Sequence, residues 1–511
     1  MIKKNKRWYR FLKGLGYFLC GVLLVFAFAL WKVCEWSTET FNVSLEEILF
    51  TITSPLKGTE TGVVSQGFEY CVPTVLTVLS IYLVLIAIDC WNRTKVRIKT
   101  QIGKITLNLE VFSILRGCVI VFIMTAVGFS LYYVNQEYNV VNYIQKQIET
   151  STIYEDYYVD PTTANITAVD GKKNLICIYL ESMETTYASH EEGGQQEETY
   201  IPKLIELTKD SISFSHTEGF GGFSSIPGTY WTMAALLATT SGVPFSFPVE
   251  ANSMGEHETF AGGLTTLGDV LAEQGYRQLF LCGSDAEFGG REQYFKQHGN
   301  YEIFDLYTAR EKGYIPEDYY TWWGYEDKYL YEIAKEQLLE MAAGDQPFNF
   351  TMLTVDTHPV GGYVCDWCES TYENTTANVV ACSDRQAYEF VEWCKGQVFY
   401  EDTAIVLIGD HLRMDTCLLE NADHKNRRVY NCFINSFAKL KDESFTKERI
   451  VTTVDIFPSI LAAMGFEFDG ERLGLGTNMF SGEKSLAEEM DYRIFCDEIS
   501  KHSRYYLKNF Q

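Results

Sequence analysis

Apolar and polar positions fall into blocks of two sizes along this chain. Before residue 136 there are three long uncharged apolar runs, Gly14 to Trp31, Tyr70 to Ile88 and Gly117 to Asn135, each of 18 or 19 residues. That is close to the roughly 20 residues a helix needs to cross a bilayer. The first run has the basic start of a signal peptide, but its apolar core is too long and no small-residue cleavage site follows, which favours a retained helix. Beyond residue 170 the runs shorten. Asn174 to Glu181 (NLICIYLE), Arg277 to Ser284 (RQLFLCGS), Asn349 to His358 (NFTMLTVDTH) and Thr403 to His411 (TAIVLIGDH) are each rich in apolar residues and end in polar ones. Such runs predict buried strands. Further strands are predicted at 211–216 and 429–435. Helical spacing is predicted at 201–209, 230–240, 264–275, 327–342, 384–395 and 454–464. The order of strands and helices implies an α/β domain of three layers around a mostly parallel sheet. The organisation read from these blocks is a membrane domain of three helices (1–135), a linker (136–171), a globular domain (172–482) and a C-terminal tail (483–511).

Charge sharpens this division. The 511 residues carry a net charge of −26, yet residues 1–113 hold 13 Lys and Arg against 8 Asp and Glu, leaving about −31 on the remainder. So acidic a body disfavours nucleic acid as a partner. The basic start MIKKNKRWYRFLK and the basic connection 91–104 face the cytoplasm by the positive-inside rule, which puts 36–69 and everything after about residue 136 outside. Of the 14 cysteines, five lie in or beside the apolar N-terminal runs. Cys365 and Cys368 form a CxxC, with Cys382 fourteen residues on. Outside the cell a disulfide among them is the expectation, and a zinc knuckle is disfavoured because no second ligand pair is close in sequence.

In open α/β sheets, ligands bind beyond the carboxyl ends of the strands. The polar groups expected there are Glu181, Thr229, Arg291, His358, Asp410 and His411. Singly, each has a plain structural reading: a helix cap, a surface ion pair, a hydrogen-bonded core histidine. Thr229 follows a glycine where a helix is predicted to begin, so its hydroxyl is an ordinary cap or a nucleophile beside an anion held at a helix start. Together they are two carboxylates, a hydroxyl and an imidazole. That oxygen-rich set suits Mn²⁺, with Zn²⁺ or Mg²⁺ as alternatives. A hydroxyl beside such an ion is an activated nucleophile. His358 and Arg291 are then placed to hold a tetrahedral anion. The electrophile this chemistry suits is a phosphoester, attacked through a phospho-threonine intermediate.

The segments IYLESMETTY (178–187), FSHTEG (214–219), IPGTYWTMA (226–234), FGGREQYFKQHG (288–299), WGYEDK (323–328), LTVDTH (353–358), GDH (409–411) and VDIFPSILAAMG (454–465) resemble the lipoteichoic acid synthase and phosphoglycerol transferase I family, within the alkaline phosphatase/sulfatase superfamily. The stretch LEEILFTITSPLKGTETGVV (45–64) is also similar to phosphoglycerol transferase I. The resemblance implies a multi-pass enzyme of the bacterial cell membrane with an extracytoplasmic catalytic domain. It implies transfer of phosphoglycerol from phosphatidylglycerol to a glycan, glycolipid or polymer acceptor, with one Mn²⁺. By that resemblance Glu181, Thr229, Asp410 and His411 are the metal ligands, Thr229 is the nucleophile, and His358 and Arg291 contact the phosphoglycerol. Two departures, Gly289 where synthases often carry Trp and three membrane helices rather than five, favour the phosphoglycerol transferase I-like branch. Phosphoethanolamine transfer is the sister reading, and a non-catalytic membrane sensor retaining the fold is a third. Sulfate-ester hydrolysis is disfavoured, because GTYWT lacks the C/S-x-P-x-R setting that makes formylglycine.

Overall fold

The computed structural model describes residues 2–41, 43–53, 62–91, 97–102, 105–246, 259–438, 440 and 442–510. Residues 92–96 and 103–104 of the basic connection, and 54–61 of the stretch 45–64, lie outside the described residues. The chain forms two compact units, one of residues 1–42 with 61–143 and one of 43–60 with 144–511. The first contains helices α1 (Ile2–Thr40), α3 (Gly62–Trp91) and α4 (Val111–Tyr138), with a hairpin of Arg97–Ile102 and Ile105–Glu110. All three helices are long and apolar enough to cross a membrane. They share a small core of Leu24, Tyr82 and Ile123 and leave most large apolar side chains outward, the inverse of a water-soluble bundle.

The second unit opens with a short helix, α2 (Leu45–Thr53), and is built on a six-stranded sheet. Its strands are β1 (Asn174–Leu180), β2 (Arg277–Cys282), β3 (Glu302–Phe304), β4 (Phe348–Leu353), β5 (Thr403–Gly409) and β6 (Asn431–Ile434), in the order β3-β2-β4-β1-β5-β6. All neighbours are parallel except the edge pair β5–β6. Successive side chains of a strand point to opposite faces, and here each face has its own core. Leu175, Cys177 and Tyr179 of β1 join Ala404, Val406 and Ile408 of β5 beneath helices α6 (Thr232–Ser241), α7 (Leu267–Glu273) and α10 (Ile456–Ala463). Ile176, Ile178, Leu180, Ile405 and Leu407 face α5 (Pro202–Lys209), α8 (Asp327–Ala342) and α9 (Thr375–Lys395). The result is a three-layer α/β architecture with both sheet faces covered, which is why β1, β4 and β5 read as unbroken apolar runs.

Three predicted elements differ from the sequence reading. Segment 211–216 is not a strand: only Ile212 bridges to Phe433, and Asn431 satisfies the backbone of Phe214 through its side chain. Helix α9 begins at Thr375 rather than 384, because Asn374 caps it by accepting from the amides of Thr376 and Ala377. Cys382 therefore lies on a helix and not in the preceding loop. Helix α6 begins at Thr232 rather than 230, which bears directly on the chemistry. The tail packs onto this unit, with Phe495, Ile499, Tyr506 and Phe510 in its core.

Candidate active site

Strands β1 and β5 lie side by side in a register that pairs Leu180 with Gly409. The next residue of each, Glu181 and Asp410, therefore leaves the sheet at the same level. Gly409 is obligatory there, since a Cβ would meet the Met183 carbonyl oxygen at 2.0 Å. Beyond the strand end the chain turns, with Ser182 in a left-handed conformation (φ +51°). Asp410 Oδ1 accepts from the amides of Ser182 and His411, both at 2.8 Å. Glu181 Oε1 accepts from Ser182 Oγ at 2.7 Å. One ligand atom from each of Glu181, Asp410 and His411 lies within 4.8 Å of the others, and all three residues are buried.

The tautomer of His411 can be read from its partners. Nδ1 faces the Leu412 carbonyl at 2.8 Å and must donate to it. Nε2 then points at acceptors, Asp410 Oδ2 at 3.3 Å and Glu181 Oε1 at 3.6 Å. Asp410 Oδ2 is itself buried without a hydrogen-bond partner among the described residues. Burial, then the Glu181 charge, pushes the Asp410 carboxyl up to about 7. Burial alone would lower the His411 imidazole, but Asp410 and Glu181 outweigh it and the net shift is upward. Lone pairs converging in a dry pocket are costly unless a cation sits among them. Two carboxylates and an imidazole fit a divalent metal ion on this ground.

The hydroxyl in this cluster belongs to Thr232. Its Oγ1 is 3.4 Å from Glu181 Oε2 and 3.3 Å from His411 Nε2, at the first residue of α6, where helix amides face outward. Thr229, expected at this position, is elsewhere. Its fully buried Oγ1 donates to the Ile226 carbonyl at 2.8 Å, accepts from the Ile226 amide at 2.9 Å and accepts from Thr453 Oγ1 at 3.2 Å. The reason is local. Gly228 takes a left-handed turn (φ +78°) that Thr229 closes, and the chain runs three residues further before helix begins.

His358 approaches from the end of β4. Its Nδ1 donates to the Pro359 carbonyl at 2.7 Å, its ring packs on Trp323 with centroids 4.5 Å apart, and the charges of His411 and Asp410 act on it. Burial holds its pKa down at about 4, so the ring is neutral at neutral pH. Arg291 is drawn into its own loop, donating to the carbonyls of Phe288 and Asp285 and to Ser284 Oγ. It connects to His358 through rings: its guanidinium covers Phe288, and Phe288 packs on Trp323. Gly289 adopts φ +66°, where a Cβ would meet the Met233 Cβ at 3.7 Å, in a backbone conformation a tryptophan would rarely take.

Two features were not singled out from sequence. A buried ionic network lies under the turn. Arg427 grips Glu184 at 2.9 and 2.6 Å, and Arg413 grips Asp415 at 2.5 and 2.6 Å while donating to the Thr357 carbonyl. The second is Glu47 on α2, 2% exposed, whose charge acts on His411 and Tyr230. It forms a capping box with Ser44, and burial raises its carboxyl to about 8 against the opposing effect of His411. Residue 47 lies in the stretch 45–64 singled out above by its similarity, but no spacing there ties it to a site assembled from residues 181 to 411.

The family model for the sulfatases matches residues 173–466. Phosphoglycerol transferase I of Escherichia coli (strain 55989 / EAEC) is 30% identical over 341 residues, which are 65% of this chain and 42% of that relative. The chain thus spans less than half the length of the curated relatives it matches. Among solved structures, a protein of the alkaline phosphatase superfamily from Vibrio parahaemolyticus is 23% identical, with a TM-score of 0.48 over 65% of this chain and 74% of its own. The lipoteichoic acid synthase LtaP from Listeria monocytogenes is 18% identical, with a TM-score of 0.46 over 62% and 79%.

Proposed function

The chain belongs to the sulfatase family, and from that premise we propose that it is a membrane-anchored, metal-dependent phosphoglycerol transferase. The donor is phosphatidylglycerol and the acceptor an extracytoplasmic glycan, glycolipid or polymer. The observation that carries this reading is the Thr232 hydroxyl set 3.3 to 3.4 Å from His411 and Glu181. The 30% identity to a phosphoglycerol transferase I supplies the choice of headgroup.

A divalent ion, Mn²⁺ by preference, would be held by Glu181, Asp410, His411 and Thr232, and would supply Lewis acidity at the reacting phosphoester. The rest is the work of the chain. Thr232 Oγ1, its proton accepted by the Glu181 carboxylate, attacks phosphorus; the bond from phosphorus to the diacylglycerol oxygen breaks, and that oxygen leaves as the alcohol with a proton from solvent. The amides at the start of α6 face the anion so formed. His358, neutral and held by Pro359 and Trp323, hydrogen-bonds the phosphoglycerol. Arg291 positions the Phe288–Trp323 wall behind that histidine. An acceptor hydroxyl, giving its proton to solvent, then attacks the phospho-threonine; the bond from phosphorus to Thr232 Oγ1 breaks, and the proton held by Glu181 returns to Thr232. The apolar helices anchor the enzyme where its donor resides, with the catalytic unit on the extracytoplasmic side of a bacterial cell membrane.

The test is the purified full chain in detergent with phosphatidylglycerol and Mn²⁺. Diacylglycerol release, with a phosphoglycerol adduct mapped by mass spectrometry to Thr232, is the expected result. An adduct on Thr229, or none on either threonine during turnover, would falsify this assignment. Preferential consumption of phosphatidylethanolamine in the same assay would assign the sister reaction.

A further inference from the structure

We propose that Cys365, Cys368 and Cys382 form a second metal site, a zinc–thiolate staple that clamps the loop after His358 onto helix α9. Sequence spacing left Cys382 outside the CxxC; the fold brings it in. Cys365 and Cys368 follow strand β4, and Cys382 projects from the second turn of α9. The Cys365 sulfur lies 3.6 Å from that of Cys368 and 3.8 Å from that of Cys382, and all three sulfurs lie within 4.8 Å of one another. A tetrahedral site with Zn–S bonds of about 2.3 Å has S···S edges of about 3.8 Å. A disulfide needs its sulfurs at about 2.0 Å and would use two of the three, stranding the other against it.

The surroundings suit thiolates that share a cation. Gln386 Nε2 donates to the Cys382 sulfur at 3.3 Å, and Arg385 Nη2 lies at 3.8 Å from it. N–H donors of this kind stabilise sulfur anions. Asp356, 2% exposed, has both carboxylate oxygens buried without a hydrogen-bond partner among the described residues and lies within electrostatic reach of Cys365. Buried thiolates beside an unpartnered carboxylate are costly unless a cation neutralises them. Soft thiolate donors select zinc over the hard ions suited to the Glu181 cluster. Zn²⁺ binding displaces the thiol protons, and three protein ligands leave the fourth corner to water. The loop so fixed carries Gly361, whose amide donates to Asp415, and Tyr363, whose amide donates to the Asp356 carbonyl. The staple therefore stiffens the backbone between His358 and α9.

The test does not depend on phosphoglycerol transfer. The full chain is purified anaerobically in detergent, and zinc per chain is measured for the native protein, Cys382→Ser and Glu181→Gln. Loss of about one equivalent in Cys382→Ser, with that equivalent kept in Glu181→Gln, is expected. Co²⁺ added to the zinc-stripped chain should give a sulfur-to-cobalt charge-transfer band that Glu181→Gln keeps and Cys382→Ser loses. A disulfide among the three cysteines in acid-quenched, alkylated native protein overturns the proposal, and so does a cobalt band indifferent to Cys382. If Cys382→Ser does not fold, zinc-edge X-ray absorption of the native protein decides: sulfur neighbours at about 2.3 Å support the staple, and their absence removes it.

Discussion

Two threonines three residues apart have opposite surroundings. Thr232 meets the acid–imidazole cluster, while Thr229 is enclosed by Ile226 and Thr453. Thr232→Ala should lower diacylglycerol release on the order of a thousandfold or more, with the unfolding midpoint little changed. Thr229→Ala should leave the rate within about tenfold but cost about 1–3 kcal/mol of stability, because the buried Ile226 amide loses its acceptor. Rate and thermal unfolding measured on both variants separate these roles, and equal loss of rate in the two would return Thr229 to the chemistry. The carboxylates were legible, since an apolar run that stops at an acid is a visible signal. The hydroxyl was not, because the Pro227-Gly228 turn signals an end of loop without saying how far beyond it helix begins, and that is set by the packing of Trp231 against Phe245. Arg291 and His358 were legible as residues, but the ring contacts joining them through Phe288 and Trp323 exist only in three dimensions.

At the level of elements, the turn after β1 rests on buried charge. Glu184 is fully buried, accepts from the Arg413 amide at 3.2 Å and pairs with Arg427. Glu184→Gln should destabilise the catalytic unit by about 3–5 kcal/mol, since it leaves Arg427 buried and unneutralised. Denaturant unfolding of the detergent-solubilised protein checks this, and a change under about 1 kcal/mol would show the pair to be dispensable. Helix α2 poses a different question. It lies between α1 and α3 in sequence, yet belongs to the catalytic unit and brings Glu47 to His411. Glu47→Ala removes that carboxyl and a cap of about 1 kcal/mol. We expect kcat/KM for the lipid donor to drop about tenfold or more while the global unfolding midpoint barely moves; unchanged kcat/KM would make α2 a bystander. Strands β1, β2, β4, β5 and β6 and most helices were readable from periodicity, but the three-residue edge strand β3 was not. The extra nine residues at the start of α9 were not, because TTANVVACS has no continuous apolar stripe and is fixed by the Asn374 cap.

For the molecule as a whole, the segregation of apolar helices from an acidic α/β body was apparent from the sequence before any contact was known. Activity should follow the Glu181–Asp410–His411 cluster. Stripping the full-length protein of divalent ions should abolish diacylglycerol release, and Mn²⁺ should restore it to the native chain but not to Glu181→Gln or Asp410→Asn. Restoration in both variants would mean that the ion acts elsewhere.

The adjacency of β1 and β5 carries one more consequence. Glu181 and Asp410 owe their separation to the spacing of two hydrogen-bonded ribbons, about 4.8 Å, rather than to the fit of any side chain around them. Drift in the surrounding helices leaves that gap intact, whereas inserting or deleting a single residue inside either ribbon would send one acid to the opposite layer. Relatives of this chain should therefore vary freely in helix length and loop content while the residue count of these two ribbons stays frozen.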